Sequence, residues 1–302
     1  MNLIGKRRIW YAISLIMIVP GLISLFVWGL RLGIDFNAGQ LSVVRGSVSA
    51  ATVNEAAKGL GFSDVQVVPS GSDQTQIRFR DPSPQVQHEA NHQKFKAALT
   101  RAGVEELSFD SVGPTVSKDI ARNAILSLLL ASLAIVFYIA YAFRNAPPPV
   151  SPWSFGVMAI VALLHDALFV LGVFSLLGHF FGVEIDALFV TAILTVIGFS
   201  VHDTIVVFDR IRENLRRQKG EFEIIVNNSI LETLARSINT SLTVLLTLLA
   251  LYLFGGQSIR LFVLALLIGI ASGTYSSIFN ASPLLVTWHN YRLKRLAKTK
   301  RS

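Results

Sequence analysis

The stretch Ala192-Ile-Leu-Thr-Val-Ile-Gly-Phe-Ser-Val-His202-Asp203-Thr204-Ile-Val-Val-Phe-Asp209-Arg210-Ile-Arg-Glu-Asn214 decides how this chain reads. It has the length and apolar content of a membrane-spanning helix, yet it carries Asp203 among apolar neighbours. A charge inside the hydrocarbon costs roughly 3 kcal/mol on insertion scales, so it calls for a partner charge, water or a function. Arg210, Arg212, Arg216, Arg217 and Lys219 follow and mark a cytoplasmic exit. Asp203 is therefore the candidate proton-handling group of a transport machine.

Composition agrees with residence in lipid. Of 302 residues, 52% are hydrophobic and only 15% charged, against roughly 25% charged in soluble domains. The net charge of +8 does not indicate nucleic acid, because the basic residues flank apolar runs and form no stripe with interleaved aromatics. Cysteine is absent, which excludes a disulfide framework, a thiolate metal site and a cysteine nucleophile. No nucleophile–base constellation or phosphate-binding glycine loop is present, so no enzyme is expected.

The expected organisation is a helical integral membrane protein with six transmembrane helices. Residues 1–8 form a cytoplasmic N-terminus ending in Lys6-Arg7-Arg8, and residues 9–30 a first helix, with a bend at Pro20-Gly21. That run exceeds the apolar core of a signal peptide, about 7–15 residues. Residues 31–122 turn polar and alternate in the order βαββαβ, a ferredoxin-like layer. Its strands fall at 40–48, 64–69, 75–80 and 104–110, and its helices at 51–60 and 85–101. Ser70-Gly71-Ser72-Asp73 is a hairpin signal. One helix precedes this domain, so it lies outside, in the periplasm. Residues 123–288 hold helices two to six, near 124–143, 153–177, 185 onward, 234–254 and 259–288, with an inner amphipathic segment at 220–232. A basic tail, 289–302, places the C-terminus in the cytoplasm as well.

Ionisable residues form a ladder through the membrane at about 1.5 Å per residue. Glu184 and Asp186 stand at the outer end of helix four, and His165 and Asp166 near the middle of helix three. His202, Asp203 and, on helix five, Arg236 lie in the inner third. An arginine within reach holds a carboxylate ionised, and burial without it favours the neutral acid. Asp203 and Arg236 are accordingly the proton-coupling pair expected, although the same pair would serve equally as a structural lock between helices. Asp166, His165, Asp186 and His202 make up a candidate relay. His165-Asp166 reads as a hydrogen-bonded packing feature more than a metal site, and no spacing resembles a zinc motif. Gly269-xxx-Gly273 with Ser272, Ser276 and Ser277 is a close-packing face, read as internal.

Several stretches together resemble one family. They are residues 198–214, Gly33-Ile-Asp35-Phe36, Ser111-Val-Gly-Pro114, His165-Asp166, Arg236-Ser-Ile-Asn-Thr-Ser241, Gly273-Thr-Tyr-Ser-Ser277 and Ala281-Ser-Pro283. In order and spacing they are similar to SecF, the smaller membrane subunit of the SecD–SecF protein-export machine, in the resistance-nodulation-division superfamily. Ala38 and Ser117 stand where that family usually has glycine, and His202 where it commonly has asparagine. The resemblance implies a bacterial inner-membrane protein that pairs with SecD and acts with the SecY–SecE–SecG channel, and indirectly with SecA, on translocating preproteins. It implies no cofactor beyond a proton gradient, or sodium in some lineages. It also implies that Asp203 and Arg236 are the family's functional pair. Two other readings of the architecture are a small-molecule efflux half-transporter and a passive scaffold.

Overall fold

The computed structural model describes residues 1–69 and 73–299, so residues 70–72 of the hairpin signal and the end of the basic tail lie outside the described residues. In chain order, a short turn at Ile4–Lys6 leads into α1 (Arg7–Val27). α2 (Ile34–Asn37), β1 (Gly39–Arg45), α3 (Ala50–Ala57), β2 (Ser63–Pro69), β3 (Gln74–Arg80), α4 (Gln85–Arg101) and β4 (Glu106–Val112) follow. Then come the long helices α5 (Pro114–Ala142), α6 (Pro152–Phe181), α7 (Ala187–Arg217) and α8 (Phe222–Phe254). α9 (Arg260–Ser276), a π-helical stretch at Ser277–Ala281 and α10 (Ser282–Thr299) complete the chain. Six helical stretches among the described residues are long and apolar enough to cross a membrane, the last combining α9, the π stretch and α10. Contacts divide the chain into two compact units. One comprises Met1–Leu30, Leu126–Val183 and Leu188–Ser302, and the other Arg31–Ile125 with Glu184–Ala187.

The second unit carries one antiparallel sheet of order β2-β3-β1-β4, the arrangement a βαββαβ chain forms. From Gln40 on, burial alternates with period two: Gln40, Ser42 and Val44 of β1 and Thr75, Ile77 and Phe79 of β3 are buried. Val44, Ile77 and Phe79 pack with Val53 of α3 and with Phe95 and Leu99 of α4. Beside this apolar core the interior is polar. Glu106 accepts from Ser42 Oγ at 2.6 Å and from His92 Nε2 at 3.0 Å. Asp81 accepts from Ser83 N and Asn91 Nδ2, both at 2.9 Å. Burial opposes ionisation of Asp81, but the hydrogen bonds from Ser83 and Asn91 outweigh it and hold the carboxyl below the ordinary carboxylate range. The segment Glu184–Ala187 is tied into this unit: Glu184 is ion-paired with Arg78, and Asp35 Oδ2 accepts from Ala187 N at 2.8 Å.

In the first unit α1 packs on α6 at Gly21 and Gly172. A Cβ added at either would stand 2.8 or 2.6 Å from the other's Cα, so only glycine permits this approach. One turn on, Ser24 Oγ and Ser175 Oγ are 2.7 Å apart. α1 runs unbroken through Pro20. The N-terminal turn is held by Asn227, whose Oδ1 accepts from Leu3 N and Ile4 N at 2.8 and 3.3 Å.

Residues 220–232 do not form a separate amphipathic piece. α8 begins at Phe222, because Phe222, Ile225, Val226, Ser229, Ile230 and Thr233 continue its buried stripe at helical spacing. α5 is the least covered span, with Leu126, Leu129, Leu130, Leu133 and Phe137 exposed.

Candidate functional site

α7 buries one stripe, Val196, Ser200, Asp203, Val207, Ile211 and Asn214. These positions recur every three or four residues, so helical geometry alone turns Asp203 inward. Its residue exposure is 2%. Ser241 Oγ of α8 donates to Asp203 Oδ2 at 3.1 Å, and Thr274 Oγ1 of α9 lies 3.5 Å from the same oxygen. Thr274 Oγ1 also lies 2.6 Å from Ser241 Oγ. One carboxylate thus joins three helices through neutral hydroxyls.

Asp166 of α6 is the second interior carboxylate, 1% exposed. Its Oδ2 accepts from Ser200 Oγ and Ser276 Oγ, both at 2.6 Å. Its Oδ1 accepts from Ser272 Oγ at 2.9 Å and from His165 Nδ1 at 3.0 Å. The small-residue face of α9 is therefore internal. Gly273 keeps it close to α7, since a Cβ there would meet Ser200 Cβ at 3.0 Å. Ser272 and Ser276 lie one turn apart on α9 with Thr274 between them on the opposite side, so α9 serves both carboxylates from opposite faces.

The pairing of Asp203 with Arg236 is not found. Arg236 is exposed, and among the described residues no hydrogen bond or ion pair reaches it. The physical reason is its place on α8. Ser241 meets Asp203, and Arg236 stands five residues earlier, about 7.5 Å along the axis and about 140° around it. His202 is exposed and off the buried stripe, while Asp186 lies in the segment that belongs to the sheet-bearing unit. Neither joins the interior cluster; of the candidate relay, only His165 and Asp166 do. Among the described residues no three His, Asp or Glu side chains are grouped as metal ligands would be.

Sequence reasoning missed Ser241 and Thr274 as the partners of Asp203. It also missed Ser200, Ser272 and Ser276 as the cage of Asp166. The signal that could have found Ser241 is the run Thr233, Ser237, Ser241 at helical spacing on the buried face of α8.

Comparison with known proteins places these features in context. The family described as "Protein export membrane protein SecD/SecF, C-terminal" matches residues 92–291. The protein translocase subunit SecF of Thermobaculum terrenum is 50% identical over 98% of this chain and 96% of its own length. That of Anaerolinea thermophila is 45% identical over 96% and 94%. The crystal structure of SecDF from Thermus thermophilus, titled a translocon-associated membrane protein, superposes with a TM-score of 0.82 at 32% identity. It covers 96% of this chain, which spans only 39% of that longer one.

Proposed function

Since this chain belongs to the SecD/SecF family of protein-export membrane proteins, we propose that it uses the proton gradient to promote preprotein translocation. In this reading it works beside SecD and the SecY–SecE–SecG channel, with SecA acting upstream. The observation that carries the proposal is the setting of Asp203. A carboxyl buried in a membrane span is costly as an anion, and its hydrogen-bond partners here are two uncharged hydroxyls. A hydroxyl donates to the anion and accepts from the acid, so the pocket fits Asp203 in either state.

Arg236 acts, in this reading, toward the partner. An exposed guanidinium in a membrane span costs roughly 3 kcal/mol, and Asn239 beside it is exposed too. Contact with SecD would cover both. The orientation that follows from the basic segments puts both termini in the cytoplasm and the sheet-bearing unit on the far side.

The test is preprotein export in vesicles carrying SecY–SecE–SecG, SecA and the SecD complex of this chain, with proton and sodium gradients imposed separately. Stimulation by the proton gradient is expected. Stimulation by sodium alone would transfer the role to that ion. No response to either would leave a passive scaffold, and compound extrusion without export would mark an efflux half-transporter.

A further inference from the structure

His165 presents an incomplete hydrogen-bond account. Its side chain is 10% exposed. Nδ1 faces Asp166 Oδ1 at 3.0 Å; with Asp166 ionised that oxygen only accepts, and Nδ1 carries the hydrogen. Nε2 is then a bare lone pair, buried and without a partner among the described residues. Asp166 meanwhile receives four donors, His165 and the three serines. Four donor-capable groups thus surround the carboxyl, enough to match the acceptor sites of an anion. No Lys or Arg balances that anion among its bonded partners.

We propose that His165 and Asp166 form a second proton-binding site of this chain, in which Nε2 of His165 takes the proton and the serine-held carboxylate balances its charge. The step forms one N–H bond at Nε2, turns a hydronium ion into water, and reverses on release. Neutral histidine is suited to this because its charge changes near physiological pH.

Polar groups stand near the ring. The ring of Tyr275 lies 6.4 Å from that of His165, and Ser14 Oγ reaches both Tyr275 Oη at 3.3 Å and Asn280 Oδ1 at 2.9 Å. Asn280 stands on the π-helical stretch, and its Nδ2 is the second unpartnered atom of this cluster. π-helical turns recur at functional sites, and two unmatched buried polar atoms suit bound water. Arg7 and Arg8 begin α1, Arg260 begins α9, Tyr291, Arg292, Lys294 and Arg295 stand in the last half of α10, and the charged residues 209–217 end α7; the other titratable groups on the packed elements are few. On α9 it is Tyr275; on α1, Tyr11 turns to Thr287 of α10; on α7, Asp203 turns to Ser241 and Thr274. On α10, His289 packs against Phe222, and the π-helical stretch offers Asn280 and no charge.

The assignment deepens the proton-coupling role proposed above and rests on it for its use, though not for its chemistry. Its test is nitrogen-15 NMR of the histidine-labelled complex with SecD in lipid vesicles, the His165 signal being the one lost in His165→Gln. As the pH is lowered, that signal should pass from a neutral ring with hydrogen on Nδ1 to a doubly protonated ring. Asp203→Asn should leave this titration in place while removing gradient-driven export. Asp166→Asn should abolish the Nδ1–H preference; if that variant does not assemble, the wild-type tautomer alone decides. A ring that stays neutral throughout, or carries its hydrogen on Nε2 at the upper pH, would overturn the proposal. Titration at His165 in a complex whose export ignores the proton gradient would sink the coupling role and leave the site standing.

Discussion

Asp203 and Asp166 are both buried, and they differ in how many donors surround them. Asp166 has four, and losing one leaves the anion short. Ser276→Ala should destabilise the complex by about 1–3 kcal/mol, the range for a hydrogen bond to a charged group, read as a lowered melting temperature. Ala38 is a different kind of residue-scale strain. Its φ is +53°, a conformation that disfavours a Cβ, at a position where the resembling family has glycine. Ala38→Gly should add about 1 kcal/mol of stability, visible as slower amide exchange in β1. Asp81 gives a pH signature. Its folded carboxyl titrates below the ordinary value, so it stabilises the fold above about pH 4 and the contribution fades as pH falls through the folded value. Asp81→Asn should therefore weaken the sheet-bearing unit at neutral pH, and the gap to wild type should close below about pH 4, by the same amide-exchange measurement. Asp203 was legible in the sequence because a carboxylate in an apolar run is costly and so stands out. Its hydroxyl partners were not, because serine and threonine sit in membrane helices for many reasons and carry no charge to betray them.

Helix packing turns on a few small residues. Gly172→Val should force α1 and α6 apart, because the added atoms would enter the Gly21 backbone, and the chain should accumulate poorly in membranes. Gly198→Ala is the contrast: nothing stands within 4 Å of a Cβ there, so accumulation should be unchanged. That Gly269 and Gly273 form an internal close-packing face was readable from their spacing; that α7 is what they meet was not. The Gly21–Gly172 contact was not, since the two residues lie far apart in sequence and neither belongs to a repeated pattern. The start of α8 was misplaced for a related reason: Glu223 and Glu232 lower the local apolarity, although the buried stripe continues past them. The succession of strands and helices along the chain could be read from the alternation and turn residues, which are local signals.

At the scale of the molecule, the described residues leave surfaces that the chain alone does not complete. α5 is apolar and open, and α8 exposes Arg236 and Asn239. Neither the axial offset between Arg236 and Asp203 nor the azimuth of one helix against its neighbour was readable from sequence, and that is why the two were paired. If Arg236 meets SecD, Arg236→Leu should lower gradient-driven export while leaving the Asp203 pocket, and hence the hydrogen-bonded core of the bundle, intact. The most direct measurement compares Asp203→Asn with wild type in reconstituted vesicles, scoring export with and without an imposed proton gradient and checking that SecD still co-purifies. The result expected is an intact complex whose export no longer responds to the gradient. Gradient-stimulated export at the wild-type rate by that variant would contradict the role given to Asp203.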